Sequence, residues 1–428
     1  MIKKIKYLLP IYRTLAGSGT RKTLDFFEKQ NSNFKRLKFK TNQKVFDWKV
    51  PHEWEIKDSF IQNIKTKKKY AEFKNDNLHV VGYSKNIDKV MSLNNLKKKI
   101  YTSSDLKNAI PYVTSYYSKD WGICMSENEK KKLPSGNYRI KIDSFFKKGF
   151  MEMSHAVIKG KSKKEIMFSS YVCHPSMVNN ELSGPILSLE ILNYLKKNFK
   201  NNYYTYRFLL APETIGSIAY LSKYKNQLKK NVICGFNLTC VGDEKFYSHI
   251  SSPDNNNLSD IAIRSSIYKF KNSKFYDFLE RGSDEKQYCF PNIDLPFSTF
   301  CKSKFGTFKE YHTNKDNLNF VTKKGMSESF EIFKNIIQAF EMGIVPKNTK
   351  ICEPFLSKYK LYPTISFYNP EHNKEFKKNL KTLRDIMAFS NEKKNIFEIA
   401  VKINKTLLEV IRSYKLLIEK KLIKTKFV

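Results

Sequence analysis

The sequence predicts an α/β protein: a sheet with helices on its faces, a small β-rich subdomain inserted near the start and a small helical domain at the end. Three observations predict this. From about Tyr138 the chain alternates short apolar runs (Ile166 to Cys173, Tyr206 to Leu210, Val232 to Cys240) with helical patterns after Gly184, after Ile215 and from about Leu258. Such alternation builds a sheet flanked by helices. Between about Val45 and Tyr117 the pieces are short, aromatic-rich and strand-like, as in Val45-Phe46-Asp47-Trp48 and Val50-Pro51-His52-Glu53-Trp54. Beyond the break at Pro346, residues from about Thr382 to Lys424 give three short amphipathic helices. Ile396, Ile399 and Ile403 form one apolar stripe, and Leu407, Ile411 and Leu417 belong to another.

Residues 20 to 37 predict a helix, with Leu24, Phe26, Phe27 and Phe34 as its apolar positions. The β-rich pieces follow, then the strand and helix alternation, and a last core helix from Lys324 to Glu341. These elements place the α/β domain over 1–44 and 125–346, the inserted subdomain over 45–124 and the helical tail domain over 347–428. Internal repeats and long Gly/Ser or Pro-rich linkers are absent, so the parts are expected to pack against one another.

Composition narrows the function classes. Of the 428 residues 41% are apolar and 14% aromatic, too many for disorder. No apolar run approaches the roughly 18 residues that span a bilayer. Met1-Ile2-Lys3-Lys4-Ile5-Lys6 is basic like the start of a secretion signal, but Pro10 and Arg13 cut the following apolar stretch short. Seven cysteines (Cys124, Cys173, Cys234, Cys240, Cys289, Cys301 and Cys352) are an odd number without paired spacing, which fits a reducing cytoplasm and small buried apolar roles. No CxxC pair points to a thiolate zinc site.

The net charge of +37 raises the question of nucleic acid. Only nine of the 78 basic residues are arginine. Lysines such as Lys67-Lys68-Lys69, Lys97-Lys98-Lys99 and Lys130-Lys131-Lys132 are spread along the whole chain. That is the pattern of a solvated surface rather than of a binding stripe.

Glycine is scarce, 15 in 428 against a usual share near 7%, so the places that keep it are informative. Five sit beside polar clusters: Leu182-Ser183-Gly184, Ile215-Gly216-Ser217, Val241-Gly242-Asp243, Arg281-Gly282-Ser283-Asp284 and Phe305-Gly306. Three of them closely follow predicted strands, and open α/β sheets bind ligands at the carboxyl ends of their strands. His174 directly follows the run Ile166 to Cys173, with Asn179-Asn180-Glu181 on the next loop. Glu213 follows the second run, and Tyr311-His312-Thr313 lies in a later polar loop. Two histidines and two glutamates can together supply three nitrogen or oxygen ligands, a general base and one open position, the composition of a catalytic zinc site. Taken singly, each has an ordinary role: a hydrogen-bonded histidine at a strand end, or a carboxylate near a helix start.

Cys173-His174-Pro175-Ser176, Asn179-Asn180-Glu181-Leu182-Ser183-Gly184-Pro185, Pro212-Glu213-Thr214-Ile215-Gly216-Ser217, Arg281-Gly282-Ser283-Asp284-Glu285 and Glu310-Tyr311-His312-Thr313 resemble, in order, a bacterial family of aminopeptidase-like proteins. Phe46-Asp47-Trp48, Glu53-Trp54, Ser115-Tyr116-Tyr117 and Asp120-Trp121-Gly122 extend the resemblance over nearly the whole chain. The family is related to zinc aminopeptidases, carries an inserted β subdomain, ends in a winged-helix domain and often accompanies polysaccharide genes. The resemblance therefore implies a zinc-aminopeptidase-like mixed sheet, with the tail domain as the winged helix.

Carried over position by position, the resemblance puts His174 and His312 at the first and last metal histidines and Glu213 at the general base. Departures accompany it. Asn180 stands at the bridging aspartate, Thr214 at the second glutamate of a Glu-Glu pair, Thr239 at a later aspartate, and Ser176 at the aspartate that backs the first histidine. Two ions would lack anionic ligands, so the resemblance implies one zinc, held by His174, Glu181 and His312 with water in the fourth position. It further implies that Asp284 and Glu285 bind a substrate amine, Arg281 a carboxylate or acidic sugar, and that Tyr117, with Tyr112, Tyr116 and Trp121, walls the pocket.

The expected activity is hydrolysis of an amide bond in a small peptide or amino-sugar substrate, in surface polysaccharide synthesis, without a membrane partner. Homo-oligomerisation stays open. Two readings compete with it: a binding module whose metal site has degenerated, and a nucleic-acid-associated regulator acting through the tail domain. Retention of Glu213 favours catalysis, because a pure binder needs no base. The tail's single arginine on its last helix, Arg412, favours packing over base readout.

Overall fold

The computed structural model describes residues 1–118, 120–362 and 370–428, with side chains of the last stretch from 379 onward. An eight-stranded mixed sheet forms its centre. The strand order is Lys35–Lys40, Phe150–Ile158, Thr205–Ala211, Glu165–Tyr171, Val232–Leu238, Phe297–Cys301, Tyr247–Ile250 and Ser273–Tyr276. The four strands from Thr205–Ala211 to Phe297–Cys301 run parallel. They are joined through the helices Ser183–Asn198 and Ile215–Asn231. Parallel strands buried on both faces are expected to be continuously apolar, and Thr205–Ala211 and Glu165–Tyr171 are buried at every position.

The core explains that burial. Phe168 pairs in register with Phe208 and Phe236 on the neighbouring strands. Their rings stack at 5.1 and 5.4 Å, and Phe333 of the helix Lys323–Glu341 meets Phe168 edge-on at 5.8 Å. On the opposite face Met167 and Leu209 pack among residues of Ile215–Asn231 and with Trp54, Tyr138 and Ile140 of a second sheet. Gly184 opens the helix Ser183–Asn198 directly against the sheet. A Cβ there would lie 2.2 Å from both Leu238 O and Ser170 Oγ, so the close approach of helix to strand requires glycine.

The helix predicted over 20 to 37 is observed as Ser18–Gln30, and Lys35–Lys40 instead adds an edge strand antiparallel to Phe150–Ile158. Asn31 ends the helix, and Phe34 turns inward against Phe27 at 6.2 Å. The apolar period that suggested one element is thus shared between two. The second sheet has the order Lys69–Tyr70, Glu53–Asn63, Asn137–Lys147, Ile87–Ser92. Its long strand Asn137–Lys147 comes from beyond position 124, where the sequence reading closes the insert.

In the tail the helices Pro370–Phe389, Ile396–Lys402 and Leu407–Glu419 pack together, and Val345–Asn348 pairs antiparallel with Ile423–Lys426. Asn395 with Glu398 and Thr406 with Glu409 form capping boxes that start the last two helices. Residues 363–369 of the stretch read as the tail domain lie outside the described residues. Among the described residues no helix is long and apolar enough to cross a membrane, and the seven cysteines are free, six of them buried.

Candidate functional site

The carboxyl ends of the parallel strands deliver the predicted residues to one place. His174 follows Glu165–Tyr171 by three residues, Glu213 follows Thr205–Ala211 by two, and His312 lies in the loop after Phe297–Cys301. The rings of His174 and His312 are 5.6 Å apart. The edge of Tyr112 meets both at 5.2 Å, and Glu213 Oε2 lies 3.7 Å from His174 Nε2. Left-handed φ angles at Ser176 (49°), Thr214 (63°), Cys240 (52°) and His312 (53°) mark the loops that make this approach. Backbone strain of this kind concentrates at functional sites and persists where surrounding structure enforces it.

His312 is held from the inserted segment. Tyr112 N–H donates to His312 O at 2.7 Å, and Ile110 exchanges hydrogen bonds with Asn314. The imidazole stacks on Tyr311 at 3.9 Å, and its Nε2 is buried without a hydrogen-bond partner among the described residues. Burial, then repulsion from His174, pushes its pKa down to about 3, so the ring is neutral at pH 7 with a lone pair to offer.

Glu181 behaves differently from the sequence expectation. It sits in a single π-helical turn, Val178–Leu182, that precedes Ser183–Asn198; such turns recur at functional sites. Its Oε2 accepts both the backbone N–H and the ring Nδ1 of His174, each at 3.1 Å. Its Oε1 is paired with the fully buried Arg13 at 3.1 Å. Both oxygens are therefore committed behind the imidazole, whose Nε2 faces Glu213. Arg13 Nε also donates to His174 O at 2.9 Å. Burial disfavours the His174 imidazolium, but its neighbours outweigh this and its pKa is raised well above the usual value. Burial pushes the Cys173 thiol up to about 11, so at neutral pH the carboxylates of Glu181 and Glu213 carry that effect. The donor atoms of Cys173, His174 and Glu181 lie within 4.8 Å of one another, yet a protonated thiol that accepts Glu213 N–H at 3.3 Å is a poor ligand.

At Asn180 and Thr239, which the resemblance sets at positions of further carboxylates, a neutral network closes the space. Tyr171 OH donates to Asn180 Oδ1 at 2.8 Å and lies 2.5 Å from Thr239 Oγ1. Asp316 anchors the turn beneath it, accepting the N–H groups of Asn179 and Asn180 at 2.6 and 2.8 Å.

The Arg281–Glu285 loop is largely internal bracing. Ser283 Oγ donates to Glu213 Oε1 at 2.7 Å, and burial raises the Glu213 pKa. Asp284 Oδ1 accepts Thr214 N–H and Ser217 Oγ–H, and burial, then Glu213, raises it to about 7. Glu285 accepts from Gly282 N, Ser283 N, Asn237 Nδ2 and Thr299 Oγ1. Asp284 and Glu285, expected to receive a substrate amine, are both buried, and Glu285 has Oε1 engaged by the loop and Oε2 by Asn237 and Thr299 of the sheet. Arg281 makes no ion pair with Asp284; its guanidinium lies over the Phe278 ring at 4.8 Å. Tyr117 is 55% exposed, lies against Trp48 and donates to Lys49 O, away from the histidine pair. Trp121 is buried among core residues, whereas Tyr112 does wall the site. Sequence reasoning passed over Arg13, Tyr171, Ser283 and Asp316. A rare arginine ahead of the first strand and a serine next to Asp284 were the only signals available.

A mixed sheet with polar loops gathered at the ends of its parallel strands defines an aminopeptidase-like α/β protein. The chain belongs to the family described as "Domain of unknown function (DUF4910)", whose model matches residues 2–343. It is 36% identical over 408 residues to a Clostridium acetobutylicum protein named "Putative polysaccharide biosynthesis protein with aminopeptidase-like domain", covering 93% of this chain and 90% of that protein. A crystal structure of a "putative peptidase" from Clostridium acetobutylicum superposes with a TM-score of 0.86 at 33% identity, covering 99% of this chain and 95% of that one. BSAP, a zinc aminopeptidase from Bacillus subtilis, shares the fold with a TM-score of 0.56 at 12% identity, over 78% of this chain and 93% of its own.

Proposed function

We propose that this chain is a single-zinc hydrolase that cleaves an amide bond in a small peptide or amino-sugar substrate. The observation that carries the reading is the buried, unpartnered Nε2 of His312 beside His174, whose own Nε2 faces Glu213. The neutral His312 nitrogen, and that of His174 once its proton is released on binding, stand beside a carboxylate and are donors suited to one zinc ion. The set Asn180, Thr214 and Thr239 does not fit a second: these are neutral side chains, and the Tyr171 hydroxyl ties Asn180 to Thr239.

His174 and His312 hold the ion in this reading. Glu181 is reassigned from ligand to the carboxylate that orients His174, the part Ser176 cannot play. The ion would polarise the amide carbonyl and acidify water. Glu213, its side chain 23% exposed, takes the proton at Oε2 while Ser283 fixes Oε1. Burial, which raises the Glu213 pKa, makes it a better proton acceptor at neutral pH. Tyr112 and Tyr311 keep water off the imidazoles. The polysaccharide wording of the Clostridium relative's name supports an amino-sugar amide as substrate, and the free cysteines support a cytoplasmic location.

The test is zinc content by elemental analysis, followed by an amide-substrate screen, on the parent and on His174→Ala, His312→Ala and Glu213→Gln. About one zinc per chain is expected in the parent and in Glu213→Gln, and none in the histidine variants, with turnover lost in all three. A parent that takes up no zinc overturns the reading in favour of a binding module. Loss of zinc in Glu213→Gln makes Glu213 a ligand and sinks its role as base.

A further inference from the structure

We propose that the chain carries a second binding site, for an anionic monosaccharide, at the edge of the central sheet. A pocket of about 410 Å³ opens between the edge strand Ser273–Tyr276 and the helix Leu258–Ile267. None of its lining residues belongs to the His174–His312 site. Its volume falls in the range of small-molecule sites and suits one sugar ring rather than a chain of them.

Arg264 supplies the anion-binding group. Six other arginines (Arg13, Arg21, Arg36, Arg139, Arg207 and Arg384) are paired with carboxylates of the chain. Arg264 has no carboxylate within ion-pair distance among the described residues. One nitrogen, Nη2, is tethered to Asn255 O and Oδ1 at 2.8 and 2.5 Å. That fixes the guanidinium while Nε and Nη1 keep their N–H groups for a ligand, in the planar fork that matches carboxylate or phosphate oxygens.

Four further groups select a sugar over a bare anion. Tyr268 lines the same pocket, and its hydroxyl has no hydrogen-bond partner among the described residues, an unmet bond that a ligand hydroxyl reaching it would satisfy. Asp277 uses Oδ1 to accept Leu279 N–H at 2.9 Å, leaving Oδ2 as an acceptor for ring hydroxyls, which a bare anion does not offer. Buried His249 is held by Nε2 on Asp260 Oδ1 at 2.9 Å, and its other ring nitrogen, Nδ1, makes no hydrogen bond among the described residues. Phe275, 49% exposed, supplies an apolar face for the C–H side of a pyranose. The shared chemistry is a polyol ring bearing one anion, whether phosphate or carboxylate.

Isothermal titration of the full chain with glucose 1-phosphate, glucuronate, glucose and inorganic phosphate tests this. At least one of the two anionic sugars is expected to bind, and which one does identifies the anion as phosphate or carboxylate. Glucose and phosphate should bind at least tenfold more weakly. Arg264→Gln should weaken the binding at least tenfold and Tyr268→Phe about fivefold, at unchanged melting temperature, while His174→Ala leaves it intact. The proposal is overturned by any of four results. These are no binding of either anionic sugar, equal binding of glucose or phosphate, binding indifferent to both pocket substitutions, or binding lost in His174→Ala, which would put the sugar in the other site.

Discussion

Arg13 and Glu181 form an ion pair at 3.1 Å in which neither side chain reaches solvent. The guanidinium also donates to His174 O and to Leu8 O, fastening the segment after the first helix to the end of the central strand. Breaking a buried pair by removing one partner leaves the other charge unsolvated, which costs about 3–5 kcal/mol. Arg13→Met is expected to lose that much stability in urea denaturation, and Arg13→Met combined with Glu181→Leu to recover part of it. If the single variant loses under 1 kcal/mol, Glu181 is not ionised against Arg13 and the bracing of His174 rests on something else.

Glu181→Gln separates orientation from coordination. Glutamine can still accept one hydrogen bond from His174, but it cannot hold the ring with an anionic acceptor at Nδ1. Losing such a backing group typically lowers metal affinity 10–100-fold. Competition with a chromophoric chelator should show weakened zinc binding of about that size, with stoichiometry still near one. Complete loss would restore Glu181 to the ligand role expected from the sequence.

Asn180→Asp asks whether one carboxylate is enough to recruit a second ion. The new aspartate would still receive the Tyr171 hydroxyl, and its would-be co-ligand position at Thr239 remains neutral and engaged with the same hydroxyl. Zinc content should therefore stay near one per chain. Two ions in this variant would show that the neutral network yields readily.

What the sequence made legible follows from distance along the chain. His174 and Glu213 stand just beyond strands and His312 lies in a polar loop, so position made them candidates and the family resemblance gave them their roles. Glu181 was visible, but its role was not: read on a loop, it stands instead in a π-helical turn, Val178–Leu182, with its carboxylate against the N–H and Nδ1 of His174. Arg13 lies 168 residues from its partner, beyond the reach of any local pattern. The helix misread over 20 to 37 failed for the opposite reason. Phe34 continues the apolar period of Phe27, although the helix ends at Asn31 and Phe34 enters the core from the turn before Lys35–Lys40.

His155 makes the pH dependence of stability testable away from the candidate site. Arg207 Nη1 donates to Tyr220 OH at 2.7 Å, and that hydroxyl, 3.0 Å from His155 Nδ1, can donate its proton to a neutral ring. The nearby Arg207 charge favours that neutral imidazole. Burial, then the charges of Arg207 and Lys223, pushes the His155 pKa down to about 4 from the usual 6.5. Because the folded value is the lower one, the unfolded chain takes up the proton first as pH falls. The contribution is fully present above about pH 6.5 and is lost between there and pH 4. Each pH unit in that window is worth at most about 1.4 kcal/mol, and partial exposure of the ring brings the total nearer about 1–2 kcal/mol. Buried carboxylates raised to about 7, such as Asp316, act in the other direction, so the comparison must be made against a His155→Gln variant. Unfolding free energies at pH 7.0, 5.5 and 4.5 should show the parent losing about 1–2 kcal/mol more than His155→Gln across the series. A constant difference between the two proteins would mean that His155 carries its proton equally well folded and unfolded, and that the Arg207–Tyr220–His155 relay does not enforce neutrality.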